Sequence, residues 1–310
     1  MITLNQINRE SVLHYASSSS VMKKTGENFA LVTGASSGIG QAIAEELAML
    51  KHNLILVALP GTGLEAVAQN LSQTYHIEVY TFCIDLTEPD APFMLLEACE
   101  RKEINLNVLV NNAGFGNLEL FEKSNLDELL QMMALNNRAL VSLTYLFIPL
   151  LKKAEQSFIL NLGSLASVFK IPYKAVYSAT KSFVYSFSAA LRLELKPGNI
   201  SVSCLCPGST LTSARVRDIL YRTSGKTNSI FTQSPQAVAQ TAVKKLFKRQ
   251  FRIVPGLHNR LLLGVSHILP ESLTDRLLMQ LFKPKPLRKI HFITPIRRNA
   301  GWESLSLANR

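Results

Sequence analysis

The stretch from Asn28 to Leu50 constrains the fold most: a short apolar run (NFALVT), a glycine-rich turn (TGASSGIG, Thr33 to Gly40) and a run with apolar residues at helical spacing (IGQAIAEELAML). This pattern predicts a buried strand that turns through glycines into a helix. Glycine permits tight backbone geometry and lets an anionic pyrophosphate approach main-chain N–H groups at the helix N-terminus, where the dipole favours negative charge. Gly34, Gly38 and Gly40 fit that role. The spacing is not GxGxxG, and no GK[ST] follows, which argues against a nucleoside-triphosphate loop.

Further strand-like runs lie at Asn53 to Ala58, Glu78 to Ile84, Asn107 to Val110, Ser157 to Leu162, Ile200 to Cys206 and Phe251 to Val254, separated by helical stretches. Alternation of this kind predicts βαβ units and one doubly wound, Rossmann-type parallel sheet of about seven strands, with ligand at the strands' carboxyl ends. At 310 residues with 47% hydrophobic side chains, the chain can bury one large α/β core. We therefore expect a polar, disordered arm over residues 1–27, a dinucleotide-binding domain over 28–256, and a basic, amphipathic helical extension over 257–310. The longest apolar stretch, Ala139 to Leu151, is interrupted by Ser142, Thr144 and Pro149. It reads as a buried helix too short to span a bilayer.

Tyr177 and Lys181 stand at i and i+4 in AVYSATK, with Ser164 thirteen positions upstream. On a helix they share one face, so phenol and ammonium can reach one ligand together. A nearby cation favours the phenolate, so the lysine is expected to tune the tyrosine toward proton transfer. Taken alone, YxxxK describes a half-buried ring beside a solvated charge, Ser164 a strand-end hydroxyl bonding its own backbone, and Asn136 a helix-interior amide.

Seven motifs in order change that reading: TGASSGIG, IDL (Ile84 to Leu86), NNAG (Asn111 to Gly114), LNNRAL (Leu135 to Leu140), NLGS (Asn161 to Ser164), YSATK (Tyr177 to Lys181) and PGSTLT (Pro207 to Thr212). Together they resemble the short-chain dehydrogenase/reductase family in its single-domain form, over roughly Asn28 to Val254. The resemblance implies an NAD(P)-dependent oxidoreductase that interconverts a carbonyl and a secondary alcohol by hydride transfer. It makes Tyr177 the general acid/base, Lys181 the tuning cation and a ligand to the nicotinamide ribose, and Ser164 the group that orients the substrate carbonyl. Asn136 matches the family asparagine that supports a proton relay; Asn137 falls where an apolar residue is common. Cofactor contacts are implied for Gly34, Ser36, Ser37, Gly38, Ile39 and Gly40 in the turn, and for Asp85 and Leu86 beside the adenine. Asn112, Ala113 and Gly114 follow along the cofactor, then Tyr177 and Lys181, with Pro207, Gly208, Thr210 and Thr212 at the carboxamide side. The resemblance further implies a homo-oligomer with the 139–151 helix at its interface, and a mobile lid over Ser209 to Gln233.

One position departs from the pattern. After the second strand the family often carries an acidic residue for the ribose of NAD or an arginine for the 2′-phosphate of NADP. Leu59 and Pro60 stand there, and Ser37 is also neutral. With no carboxylate to repel the phosphate, the reading leans to NADP.

Residues 244–310 hold 14 Lys or Arg against 3 Asp or Glu, so this tail carries the whole formal excess of +11. Within it Leu261, Leu262, Val265, Ile268 and Leu269 recur at helical spacing, followed after Pro270 by Leu273, Leu277, Leu278 and Leu281. Two roles are open: covering the substrate pocket or a subunit interface, or peripheral contact with an anionic membrane. The tail has no groove-reading motif, so nucleic acid is not expected as a partner. Cys83, Cys99, Cys204 and Cys206 lack CxxC spacing and the six histidines are scattered, so no metal is expected; Cys204 and Cys206, on one face of a predicted strand, read as small core residues. A cytoplasmic enzyme acting on a small carbonyl or alcohol, hydrophobic in character, is the leading expectation. A dinucleotide-sensing protein without turnover and a membrane-surface scaffold are its rivals.

Overall fold

A computed structural model describes residues 28–169, 171–212, 232–266 and 271–282. The polar arm, most of the expected lid and the basic stretch after residue 282 lie outside them.

In β1 (Phe29–Thr33) successive side chains point to opposite faces, and both faces are covered. Ala30 and Val32 pack on one side, Phe29 and Leu31 on the other. The same alternation runs through β2 (Asn53–Ala58), where Leu54 and Leu56 oppose Ile55 and Val57. Burial on both faces explains why these strands read as unbroken apolar runs. Between them lies α1 (Gly38–Met49), and α2 (Leu64–Tyr75), β3 (Val79–Cys83), α3 (Ala91–Arg101) and β4 (Leu106–Asn111) follow. Beyond β4 come α4 (Leu126–Met133), α5 (Leu140–Leu151), β5 (Ser157–Leu162), α6 (Ala175–Leu195) and β6 (Ile200–Leu205). The chain continues through α7 (Pro235–Leu246), β7 (Arg252–Ile253), α8 (Leu257–Ser266) and α9 (Glu271–Phe282).

The seven strands form one parallel sheet in the order β3-β2-β1-β4-β5-β6-β7. Helices α1, α2 and α7 cover one face, and α3, α5 and α6 the other. The winding reverses between β1 and β4, and that reversal opens a crevice at their carboxyl ends. Both the glycine turn after β1 and the NNAG segment after β4 line it.

The helix over 139–151 differs from expectation. A π-helical segment, Ala134–Ala139, joins α4 to α5. The result is a continuous 26-residue helix, Leu126–Leu151, long and apolar enough by length and composition to cross a membrane. Its α5 residues Leu143, Phe147, Leu150 and Leu151 are nevertheless buried against the sheet. Burying a side chain such as Phe147 stabilises the fold by about 1.5–3 kcal/mol.

The extension folds back behind the loop that follows β5. Leu263 and Leu278 are buried there with Leu165, Phe169 and Val184. The expected apolar stripe of α8 is corrected: Leu261 and Leu262 are exposed, and Leu263 is the buried residue. Asn259 sets this phase, because its amide donates to Pro255 O at 2.8 Å and Gln233 Oε1 at 3.1 Å and packs against Gly208. Strand β7 is also shorter than expected, since only Arg252 and Ile253 pair with Cys204 and Leu205. Cys204 and Cys206 are free, buried and 3.8 Å apart at sulfur.

Candidate active site

The glycine turn is built by hydrogen bonds from two strands. At the end of β1 the Thr33 hydroxyl donates to Val110 O (3.2 Å) and accepts from the N–H groups of Asn112 (2.9 Å) and Ala113 (3.0 Å). The Asn112 amide nitrogen donates to Thr33 O at 2.8 Å and Gly34 O at 3.2 Å. These bonds clamp the end of β4 to the turn. They also commit the amide donors of Asn112, expected from sequence at the cofactor, to the protein itself. Gly34 and Gly38 have φ of +66° and +61°, a conformation that only glycine adopts without strain. A methyl group on Gly40 would overlap the Gly34 carbonyl. Helix α1 begins after Ser37, whose side chain makes no capping bond, and its first turn carries no acidic residue. Such an end is suited to an anion.

Across the crevice, Thr212 reaches the turn: a Cβ on Gly38 would lie 2.9 Å from that of Thr212. Thr210 is buried, donates to Gly208 O at 3.2 Å and bridges to Gln233. Asp85 accepts from the main chain (2.8 Å) and hydroxyl (2.7 Å) of Thr87, and Leu86 is buried in the core.

Tyr177 and Lys181 lie in α6. The Lys181 ammonium donates to Leu162 O at 2.7 Å and sits 5.9 Å from the centre of the Tyr177 ring. Burial lowers its pKa to about 8, against an opposing pull from the thiols of Cys204 and Cys206. The phenol of Tyr177 shares a hydrogen bond with Ser164. Its pKa differs from the sequence-based expectation of lowering: burial pushes it up, and the Ser164 bond acts the other way. Ser164 also caps the short 3-10 turn Leu165–Ser167, accepting from Ala166 N at 3.1 Å. The backbone-bonding reading and the site reading thus hold together for this serine.

Asn136 lies within the π-helical segment and is buried. Its Oδ1 accepts from Phe115 N (3.1 Å), and its Nδ2 donates to Phe115 O (3.0 Å) and to Thr180 Oγ1 (3.1 Å). A Cβ on Gly114 would lie 2.8 Å from Asn136 Oδ1 and 3.5 Å from Lys181 Nζ, so the NNAG segment, the π-helical segment and α6 converge here. Asn137 points elsewhere, donating to Thr180 O at 3.0 Å.

Several residues were not singled out from sequence. Thr33 and Thr180 act as hydroxyl brackets, Asn259 ties α8 to Gly208, and Lys174 stands one helical turn before Tyr177 with its ammonium 5.7 Å from that ring's centre. Of these, Thr33 carried a signal, as it opens the glycine motif. Among the described residues no group of three or more His, Cys, Asp or Glu could hold a metal ion.

The fold and this crevice define a dinucleotide-binding α/β protein of the class that carries a serine, tyrosine and lysine at the carboxyl edge of the sheet. The model of the short chain dehydrogenase family matches residues 28–219, and the chain belongs to that family. Among its relatives, very-long-chain 3-oxoacyl-CoA reductase-A of Danio rerio is 32% identical over 183 residues, covering 58% of this chain and 57% of that one. A probable short-chain type dehydrogenase/reductase, VdlC, of Helicobacter pylori is 31% identical over 265 residues, covering 80% and 95%. A solved short-chain dehydrogenase from Sphingobium yanoikuyae in complex with NADPH aligns with a TM-score of 0.66 at 27% identity, covering 79% of this chain and 97% of that one. The chain spans little more than half the length of the very-long-chain reductases it matches.

Proposed function

We propose that this protein is an NAD(P)-dependent oxidoreductase that interconverts a carbonyl and a secondary alcohol on a hydrophobic ketone or acyl compound. One observation carries the reading: the Ser164 hydroxyl bonds the Tyr177 phenol beside the buried Lys181 ammonium, which in turn lies against Gly114 of the NNAG segment. The name of the 3-oxoacyl-CoA reductase relative supports an acyl substrate. A dinucleotide sensor would need none of these three side chains.

The residues fit the cofactor. Gly34, Ser36, Ser37, Gly38, Ile39 and Gly40 offer uncapped helix N–H groups and an unhindered backbone to a pyrophosphate. Asp85 and Leu86 would line the adenine, Asn112, Ala113 and Gly114 would follow along the cofactor, and Pro207, Gly208, Thr210 and Thr212 would line the nicotinamide side. When bound, the reduced dinucleotide supplies a hydride to the carbonyl carbon. Tyr177, kept protonated at neutral pH by burial, donates its phenolic proton to the carbonyl oxygen as the new C–H bond forms. Ser164 holds the same oxygen through its hydroxyl. Lys181 is a cation below about pH 8 and favours the phenolate left behind. Asn136 braces the site by fixing Phe115 and Thr180. Leu59 and Pro60 present no carboxylate at the end of β2, which supports the lean to NADP.

The test is oxidation of NADPH and NADH against a panel of ketones, acyl thioesters and steroids. Turnover with at least one class is expected, with NADPH preferred. Tight cofactor binding without turnover on any class would favour the sensor.

A peripheral membrane contact is a second reading, supported by Leu257, Leu261 and Leu262 exposed on α8 and by the basic sequence after residue 282. Full chain should pellet with anionic but not neutral vesicles; equal pelleting with both would end it. The exposed Tyr145 of α5 is compatible with a homo-oligomer through that helix, a state that sedimentation equilibrium reads directly.

A further inference from the structure

We propose that the C-terminal extension is a working part of the cofactor site, and that Asn259 of α8 is a positioning residue that sets the nicotinamide-side segment Pro207 to Thr212. The proposal rests on the dinucleotide-dependent reading above and deepens it by naming what holds that segment in place.

The segment joins two parts of the crevice. At its start, Pro207 O accepts from Leu165 N at 3.0 Å, directly after Ser164. At its end, Thr212 packs on the glycine turn, its Cβ 2.9 Å from where a Cβ on Gly38 would lie. Between these points the Thr210 hydroxyl donates to Gly208 O at 3.2 Å. Gln233 holds the same stretch through its main chain, with its N–H donating to Ser209 O at 3.0 Å and its carbonyl accepting from Leu211 N at 3.3 Å. The segment thus links the serine of the proton-handling group to the turn that offers its N–H groups to a pyrophosphate.

Asn259 presses on the middle of this segment from the extension. Its side chain is buried, with only 4% of the residue exposed. The three atoms nearest to a Cβ built on Gly208 all belong to its amide, with Oδ1 at 2.5 Å, Nδ2 at 2.8 Å and Cγ at 2.9 Å. That amide is not free to swing aside, because Nδ2 donates to Pro255 O at 2.8 Å and to Gln233 Oε1 at 3.1 Å. Leaving such buried donors without partners is unfavourable. Asn259 therefore acts on the segment twice, directly at Gly208 and through Gln233 at Ser209 and Leu211. It needs no contact with the cofactor to do so. The competing role for Asn259 is architectural: it fixes the rotation of α8 so that Leu263 turns into the core. That role predicts lost stability with dinucleotide affinity unchanged.

The test uses the full chain and reads binding without turnover, by cofactor fluorescence for NADPH and calorimetry for NADP. Wild type is compared with Asn259→Ala, the milder Asn259→Ser, Leu263→Ala, Gly208→Ala and the double variant Gly208→Ala/Asn259→Ala, each shown to be folded by circular dichroism. Asn259→Ala should weaken both nucleotides about five- to tenfold, the worth of one or two net hydrogen bonds, and Asn259→Ser should weaken them in the same direction. Leu263→Ala removes a core contact of α8 and leaves the Asn259 amide in place, so it should lower the urea midpoint and keep the affinity. Gly208→Ala should weaken binding by itself, and the double variant should recover part of the loss because its methyl group then has room. Wild-type affinity in both Asn259 variants would overturn the proposal. So would equal weakening by Leu263→Ala, or a double variant without recovery. Affinities that shift as stated with no substrate turned over would uphold the positioning role and fail the oxidoreductase reading. A wild type that binds neither nucleotide would overturn both.

Discussion

Lys181 donates to the carbonyl of Leu162 at 2.7 Å from a position only 4% exposed, so the chain keeps an ammonium inside its core and satisfies it with main chain rather than with a carboxylate. Its pKa of about 8 stands below the ordinary value of 10.5 because burial disfavours charge.

That depression has a signed consequence for stability. Below pH 8 both folded and unfolded chains hold the proton and the cost of burying it is present in full. Between about 8 and 10.5 the folded chain has released a proton that the unfolded chain retains, so stability rises with pH across that window. Relative to Lys181→Met, the wild type should gain roughly 3 kcal/mol at most between pH 7.5 and 10.5. Urea midpoints of both proteins at each pH measure it. A constant difference would mean that the ammonium is effectively solvated.

Tyr177→Phe removes the phenol proposed as proton donor and leaves the ring. Turnover should fall by about 10²–10⁴-fold while NADPH affinity, read by cofactor fluorescence, stays within a few-fold. For wild type, kcat/KM for reduction should decline above about pH 8 as Lys181 loses its charge. A flat profile to pH 10 would show that the charge is not needed.

Gly40→Ala should be poorly tolerated for a steric reason, since its methyl group meets the Gly34 carbonyl and the Asn112 amide. We expect a loss of roughly 1–3 kcal/mol of stability, as for other overpacked sites, and weaker cofactor binding with it. Gly61→Ala is the control: its neighbourhood is open, and only backbone strain at φ of +73° should be felt.

Leu59 follows β2 half exposed, where a carboxylate would face the extra phosphate of NADP. Leu59→Asp should raise KM for NADPH about tenfold or more while sparing NADH, by like-charge repulsion. Equal effects on both cofactors would move the selectivity elsewhere.

The sheet was legible because its strands are buried on both faces: runs such as Asn53–Ala58 and Ser157–Leu162 announce themselves without partners. The glycine turn was legible because strand, turn and helix adjoin in sequence. What stayed hidden depends on distant pairing. Nothing local in Thr33 says that it will bracket Asn112 and Ala113, nor in Asn259 that it will press on Gly208 and rotate α8 so that Leu263 turns inward. The π-helical segment at Ala134–Ala139 was invisible for the same reason: its inward Asn136 is held by Phe115 and Thr180, far along the chain. Lys174 escaped notice because its neighbour Phe282 comes from the extension.

Thr210 and Gln233 bridge to one another, with Leu211 N donating to Gln233 O at 3.3 Å and Gln233 N to Ser209 O at 3.0 Å. Whatever runs between them departs from and rejoins the scaffold at a single stapled point. Doubling the length of such a tethered insert costs only about 0.6 kcal/mol in closure entropy. The length between these two stapled ends can therefore change at small cost to the scaffold that carries Ser164, Tyr177 and Lys181.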